Sequence, residues 1–137
     1  MSRSGYTDDV EDRWQYILWR GAVNSAIKGK RGQAFLKEML AAMDALPEQK
    51  LISHELEENG SVCAIGAVGK ARGIDMSRID PEDRETVAHK FGIAGALTAE
   101  IVYTNDEYYR YETPEERFTR MRKWIESLIV SPETQKA

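Results

Sequence analysis

Apolar positions recur at helical spacing along most of the chain. Between Asp9 and Ile27 they fall on two faces. Val10, Trp14, Ile17, Leu18, Gly21 and Ser25 share one, and Tyr16, Trp19, Val23 and Ile27 share the other. Thr7-Asp8-Asp9 supplies a cap and acids suited to a helix start. A first helix over 9–27 follows, and its two apolar sides predict a central position with both faces in the core. Lys28-Gly29-Lys30-Arg31-Gly32 interrupts the pattern and reads as a connector, since glycines end helices at low cost. A second helix over 33–46 carries a stripe of Phe35, Leu36, Met39, Leu40, Met43 and Leu46, and Pro47 stops it. Residues 9–46 therefore predict an antiparallel helical hairpin.

Asn59-Gly60 is a two-residue hairpin signal, because both turn positions need positive φ. It predicts a small β-hairpin within 52–63, with helix over 48–58 as the competing reading. The small-residue run Cys63-Ala64-Ile65-Gly66-Ala67-Val68-Gly69-Lys70-Ala71 reads as a tightly packed helix closed by Gly73. Asp80-Pro81-Glu82-Asp83 has the order of a cap followed by a first-turn proline, so a fourth helix is expected from there to Phe91. Ile93, Leu97 and Ile101 mark a fifth helix to about Thr104, after which Asn105-Asp106-Glu107 reads as a turn. Thr113-Pro114-Glu115-Glu116 is a capping box opening a last helix, with Phe118, Met121, Trp124, Ile125, Leu128 and Ile129 on one face. Arg117 falls on the same arc and is expected to stack on Trp124. The fold class is mainly α: one compact domain over 1–137, of five or six helices with a short β-hairpin and loose ends at 1–6 and 131–137. An α+β arrangement is the alternative.

Composition adds bounds. The chain has 137 residues, enough for one domain with its own core, and 42% apolar and 31% charged residues are ordinary for a soluble protein. One cysteine excludes an internal disulfide framework, and two histidines leave little for a metal centre; no metal or cofactor is expected. No apolar run approaches the ~20 residues that span a bilayer, and the first residues lack the apolar stretch of a signal peptide. A cytoplasmic location without membrane contact is expected. Net charge is −4, which argues against a wholesale nucleic-acid binder. Its distribution is uneven. Residues 13–37 hold Arg13, Arg20, Lys28, Lys30, Arg31 and Lys37 and no acid, so the remainder is strongly acidic. Such a segment either steers an anionic partner or is covered by the chain's own carboxylates.

Candidate chemistry is sparse. Gly29-Lys30-Arg31-Gly32 lacks the spacing of a nucleotide-binding phosphate loop and follows a helix rather than a strand. Cys63, His89 and Asn105 or Asp106 stand in the order of nucleophile, base and orienter that papain-type cysteine hydrolases use. Cys63 falls at a helix start, where the dipole favours thiolate, but His89 is expected mid-helix. His54-Glu55 is not a zinc motif, because position 58 is Glu. Tyr103, Tyr108, Tyr109 and Tyr111 cluster, and tyrosine is enriched in binding hot spots. The alternative is that these rings cover helix ends.

The segments Trp19-Arg20-Gly21-Ala22-Val23, Lys28-Gly29-Lys30-Arg31-Gly32-Gln33-Ala34-Phe35-Leu36, Cys63-Ala64-Ile65-Gly66-Ala67-Val68-Gly69 and the stretch from Asn105 to Glu115 resemble short uncharacterised proteins of phages and prophages of Proteobacteria. The resemblance implies a small accessory protein acting in the cytoplasm of a bacterial host, and transfers no functional residues. The leading expectation is a non-enzymatic binding protein that modulates a host protein complex, a defence system being one candidate. Its contact residues would be Arg20, Lys28, Lys30, Arg31, Tyr108, Tyr109 and Tyr111. The alternatives are a nucleic-acid binder using 13–37 and a hydrolase built on Cys63.

Overall fold

A computed structural model describes residues 3, 4, 13–107 and 111–130. The described residues are 67% helical, with six α-helices and one two-stranded antiparallel hairpin among them, a mainly α fold. The helices are α1 (Arg13–Lys28), α2 (Lys30–Asp44), α3 (Ala64–Arg72), α4 (Arg84–Phe91), α5 (Gly95–Glu107) and α6 (Pro114–Leu128). Strands β1 (Glu57–Glu58) and β2 (Ser61–Val62) lie between α2 and α3, and a 3-10 turn at Met76–Arg78 precedes α4.

The connector between α1 and α2 is shorter than the sequence suggests. Gly29 alone separates the helices, and Lys30 and Arg31 form the first turn of α2. Gly32 permits this, since a Cβ there would sit 1.8 Å from the Ala26 carbonyl oxygen. Gln33 then fastens the corner. Its Nε2 donates to Ile27 O at 2.7 Å and Leu128 O at 2.9 Å, and its Oε1 accepts from Val130 N at 2.9 Å. One buried amide thus satisfies backbone groups at the ends of both α1 and α6, where helices leave carbonyls unpaired. The stripe on α2 packs largely as read: Phe35, Leu36, Met39 and Met43 are buried, while Leu40 and Leu46 are half-buried.

Asn59 (φ 53°) and Gly60 (φ 85°) form the hairpin turn, with Glu57 opposite Val62 and Glu58 opposite Ser61. The hairpin is short, and the segment before it runs irregularly beside β2 through Ile52 N to Val62 O at 2.9 Å. It docks directly on α3. A Cβ at Gly66 would lie 1.9 Å from Leu56 O, so only glycine lets the hairpin backbone come this close. Ala64–Gly69 are all buried, which places α3 at the centre of the molecule.

Two helix boundaries differ from expectation. Asp80 accepts from Glu82 N in a turn, and Asp83 is the true cap of α4, accepting from Thr86 N at 3.2 Å and Thr86 Oγ1 at 2.8 Å. The Asp80-Pro81 signal is therefore a turn before the helix. Asn105-Asp106-Glu107, expected as a turn, instead forms the last turn of α5, with Asn105 and Asp106 buried. The capping box of α6 is as read, with Thr113 and Glu116 bonding reciprocally.

Helix α1 is not central on both faces. Val23 and Ile27 are buried and Trp19 packs against the core, whereas Trp14, Ile17 and Leu18 on the opposite face are exposed. The side with Trp19, Val23 and Ile27 looks into the molecule, while Tyr16, assigned to the same side, is exposed with the residues of the other. The part of the predicted first helix over residues 9–12 lies outside the described residues.

Candidate functional site

Two groupings bear on function: a polar hub at the C-terminal end of α5, and a cationic corner between α1 and α2.

The hub forms because α5 ends inside the molecule. A buried helix end needs donors for its free carbonyls, and α5 has no basic residue in its last turn. Helix α6 supplies them. Arg117 Nε donates to Asn105 O at 3.0 Å and its Nη1 to Leu51 O at 3.1 Å; Arg120 Nη1 donates to Thr104 O at 2.7 Å. Glu112 lies between these guanidiniums, 3.4 Å from Arg117 and accepting from Arg120 Nη2 at 2.8 Å. Arg117 is thus committed to carbonyls and Glu112 rather than to the Trp124 indole. At the neighbouring position Asp106 pairs with Arg3 in a two-pronged bond, Nε to Oδ2 and Nη2 to Oδ1, the latter at 2.8 Å. Asp106 Oδ1 also accepts from His54 N at 3.1 Å and Asn105 Nδ2 at 2.8 Å. Ser4 bonds the Glu107 carboxylate, and its carbonyl accepts from Arg84 Nη1 at 3.2 Å.

Charge in the hub is mutually stabilised. Burial pushes the Asp106 carboxyl upward, but Arg3, Asn105 and the His54 N–H together outweigh it and hold the group below its ordinary pKa. Burial likewise works against the Arg3 guanidinium, yet the Cys63 sulfur and the Asp106 carboxylate raise its pKa above the usual value.

The cysteine-hydrolase grouping assembles only in part. Cys63 caps α3, its sulfur accepting from Gly66 N at 3.3 Å and from Arg3 Nη1 at 3.8 Å, and the residue is 1% exposed. Asn105 Oδ1 accepts from Ala64 N at 3.2 Å and its Nδ2 donates to Ile52 O at 3.0 Å, so it serves the same helix start. His89 is exposed on α4, and among the described residues no hydrogen bond or ion pair joins its ring to Cys63 or Asn105. The imidazole beside the hub belongs to His54, a left-handed residue (φ 71°) whose Nδ1 lies 3.8 Å from Asp106 Oδ2. This geometry gives the thiol a capping job. A thiol reagent at neutral pH is accordingly expected to label Cys63 only as fast as the fold opens. Rapid stoichiometric labelling of the folded protein would restore the nucleophile.

The predicted contact residues are divided by the structure. Arg20 turns inward: Nη1 and Nη2 bond the two oxygens of Glu100 at 2.8 and 2.9 Å, tying α1 to α5. The pairing gives Arg20 a part in holding the fold, while its side chain stays 33% exposed. Lys28, Lys30 and Arg31 are exposed at the corner, and no ion pair reaches them among the described residues. Arg3, Arg20, Arg72, Arg78, Arg84, Arg117, Arg120 and Arg122 each have a carboxylate within 3.9 Å. Among the described arginine side chains, Arg31 is the exception. Tyr111 is 88% exposed beside an open groove along the first turns of α6, lined by Glu115, Glu116, Thr119 and Lys123. Tyr108 and Tyr109 lie outside the described residues.

Sequence reasoning missed Arg3, Gln33, Asp106, Glu112 and Arg120 as architectural residues. No group of three or more acids, histidines and cysteines that could hold a metal occurs among the described residues. No helix among them is long and apolar enough to cross a membrane. Comparison with protein-family models, curated proteins and solved structures finds no match.

Proposed function

We propose that this is a non-enzymatic binding protein that engages an acidic surface of another protein through the corner between α1 and α2. The setting we infer is that of a small phage-type accessory protein acting on a host complex. The observation that carries the reading is the exposed set Lys28, Lys30 and Arg31. Lys30 and Arg31 stand in the first turn of α2, where the helix dipole already presents positive potential and cations are disfavoured. Placing them there costs the isolated fold a little stability. An anionic partner recovers that cost, because corner charge and dipole then act in the same direction.

The test is capture from host lysate by the wild type and by the double variant Lys30→Glu, Arg31→Glu, with and without nuclease. Both side chains are exposed, so the variant is expected to fold and to lose the partner. Wild-type capture is expected to survive nuclease and to weaken with salt. Capture that nuclease abolishes would move the reading to a nucleic-acid binder. Equal capture by the variant would remove the corner from consideration.

A further inference from the structure

The contacts that fix Arg3 and Ser4 run to helices far off in sequence. Asp106, in the last turn of α5, takes the Arg3 guanidinium in a two-pronged bond, and the Cys63 sulfur at the head of α3 accepts from its Nη1 at 3.8 Å. Glu107 accepts from the Ser4 hydroxyl, and Arg84 Nη1, at the start of α4, donates to the Ser4 carbonyl at 3.2 Å. This cradle reads a planar guanidinium, then the main-chain carbonyl and the hydroxyl of the next residue. Its key wall stands without the residues it holds. Asp106 Oδ1 also accepts from His54 N and Asn105 Nδ2, and Asn105 is fixed in turn by Ala64 N and Ile52 O. The carboxylate is thus aimed in advance, which lowers the cost of binding. The fit of the occupant is incomplete. Arg84 reaches the Ser4 carbonyl through Nη1, while its buried Nε has no hydrogen-bond partner. A buried donor left unpaired costs free energy and weakens the occupant's hold. At the rim stands His54, its side chain 67% exposed and its Nδ1 3.8 Å from Asp106 Oδ2, so the carboxylate lies one side chain away from solvent.

We infer that this cradle is a recognition site for an arginine–serine segment of a peptide chain, and that Arg3-Ser4 is its resident, displaceable occupant. A partner that carries the same pair on an exposed stretch of chain docks by taking the resident's place. Guanidinium is the group the site demands, because a lysine ammonium is a point charge and does not match both carboxylate oxygens in one plane. Exchange suits a buried carboxylate. One guanidinium replaces another, so Asp106 is paired before and after, and the cost of an uncompensated buried charge is met only in passing. The resident acts as an intramolecular competitor: it lowers the apparent affinity for the incoming segment by the fraction of molecules in which the cradle stands open. The site is separate from the proposed corner, since Lys28, Lys30 and Arg31 take no part in it.

The probe is the capped dipeptide acetyl-Arg-Ser-amide, with acetyl-Lys-Ser-amide as control, titrated into the full chain and followed by amide NMR. Arg3→Ala empties the cradle and is expected to bind the arginine probe with a dissociation constant on the order of 0.1 mM, within reach of a ligand of this size, and the lysine probe at least tenfold more weakly. If Arg3→Ala loses helix content, the same titration is read as its recovery by circular dichroism. The double variant Arg3→Ala, Asp106→Asn is expected to lose the arginine probe. The wild type is the decisive sample. It is expected to bind the arginine probe about ten- to a hundredfold more weakly than Arg3→Ala, with the Arg3 and Ser4 amide signals moving to unstructured positions as it does. An Arg3→Ala protein, folded or not, that takes neither probe or both equally overturns the inference. So does a wild type that binds as tightly as Arg3→Ala, which would put the probe elsewhere. A wild type whose Arg3 and Ser4 signals stay fixed with the probe on the order of 30 mM also overturns it, and makes the two residues a permanent tie of the fold.

Discussion

Replacing Asp106 with alanine is expected to destabilise the fold by about 3–5 kcal/mol, the range for breaking a buried ion pair from one side. The carboxylate accepts from Arg3, Asn105 and the His54 backbone, and its side chain is 1% exposed against 2% for Arg3. Its loss strands a buried guanidinium and leaves the other donors without their acceptor, so desolvation costs remain while the compensation goes. The consequence spreads because the hub joins distant segments. Asp106 lies in the last turn of α5, Arg3 brings in the first residues, His54 belongs to the approach to β1, and Arg3 also touches the thiol that caps α3. Urea denaturation checks this directly: the midpoint should fall with the slope little changed. A loss below about 1 kcal/mol would mean that Arg3 escapes to water at little cost and that the pair behaves like a surface bridge.

The same residue fixes a pH dependence. The folded pKa of Asp106 lies below its unfolded value of about 3.9, so the unfolded chain takes up the proton first as pH falls. The stabilisation is complete above about pH 4 and disappears as pH drops through the lower, folded value. Hydrogen bonds from Arg72 to Glu38 and from Arg122 to Asp44 lower those carboxyls as well, so acid sensitivity is shared. Asp106→Ala should therefore lower the stability–pH curve near neutrality without changing its slope there, and flatten it in part below pH 4.

How far the sequence foretells this arrangement depends on whether the determining interactions are local. The start of α6 was legible because Thr113, Pro114 and Glu116 act within one turn, and the Asn59-Gly60 turn because it is set by two residues' own backbone preferences. The end of α5 was not. Asn and Asp compete with the backbone in helix interiors, so Asn105-Asp106-Glu107 reads as a stop. Here both side chains turn to partners far away in sequence: Asn105 to Ala64 and Ile52, Asp106 to Arg3 and His54. The spacing of Arg117 and Arg120, one turn apart beside an apolar stripe, is the signal that a carbonyl-rich end would be nearby. Helix α1 illustrates a different limit. Its two apolar faces were visible, but periodicity alone does not say which face the core takes. That choice is made by Arg20 reaching Glu100 and by Gly32 admitting the last turn of α1. The site divides the same way. Exposure of the 28–31 cations agrees with their lying at a helix corner, whereas Arg20, in the same basic segment, is consumed by a carboxylate eighty residues away.

Gly66→Ala is expected to cost about 3 kcal/mol or more, at or beyond the upper end for overpacking, even after the gain of up to about 1 kcal/mol that alanine brings to a helix. The new Cβ would stand 1.9 Å from Leu56 O, 2.9 Å from its carbonyl carbon and 3.1 Å from Val62 Cβ. The first two are backbone atoms that no rotamer change removes. Leu56 is held by Cys63 N donating to its oxygen at 3.2 Å, so the hairpin and the first turn of α3 must separate together. Gly32→Ala meets the same obstacle at the α1–α2 corner, 1.8 Å from Ala26 O, and should be comparably damaging. Gly69→Ala tests whether the argument rests on backbone rigidity rather than on distance alone. Its nearest neighbour is Met76 Sδ at 2.5 Å, the end of a flexible thioether that can rotate away, so a cost under about 1.5 kcal/mol is expected. Gly21→Ala, with open space around it, should raise monomer stability by up to about 1 kcal/mol. Thermal unfolding of the four variants at low protein concentration should rank them with Gly21→Ala above the wild type, Gly69→Ala near it, and Gly66→Ala and Gly32→Ala well below. Gly66→Ala unfolding with Gly69→Ala would show that the hairpin yields, and that glycine at 66 does not set how closely it rests on α3.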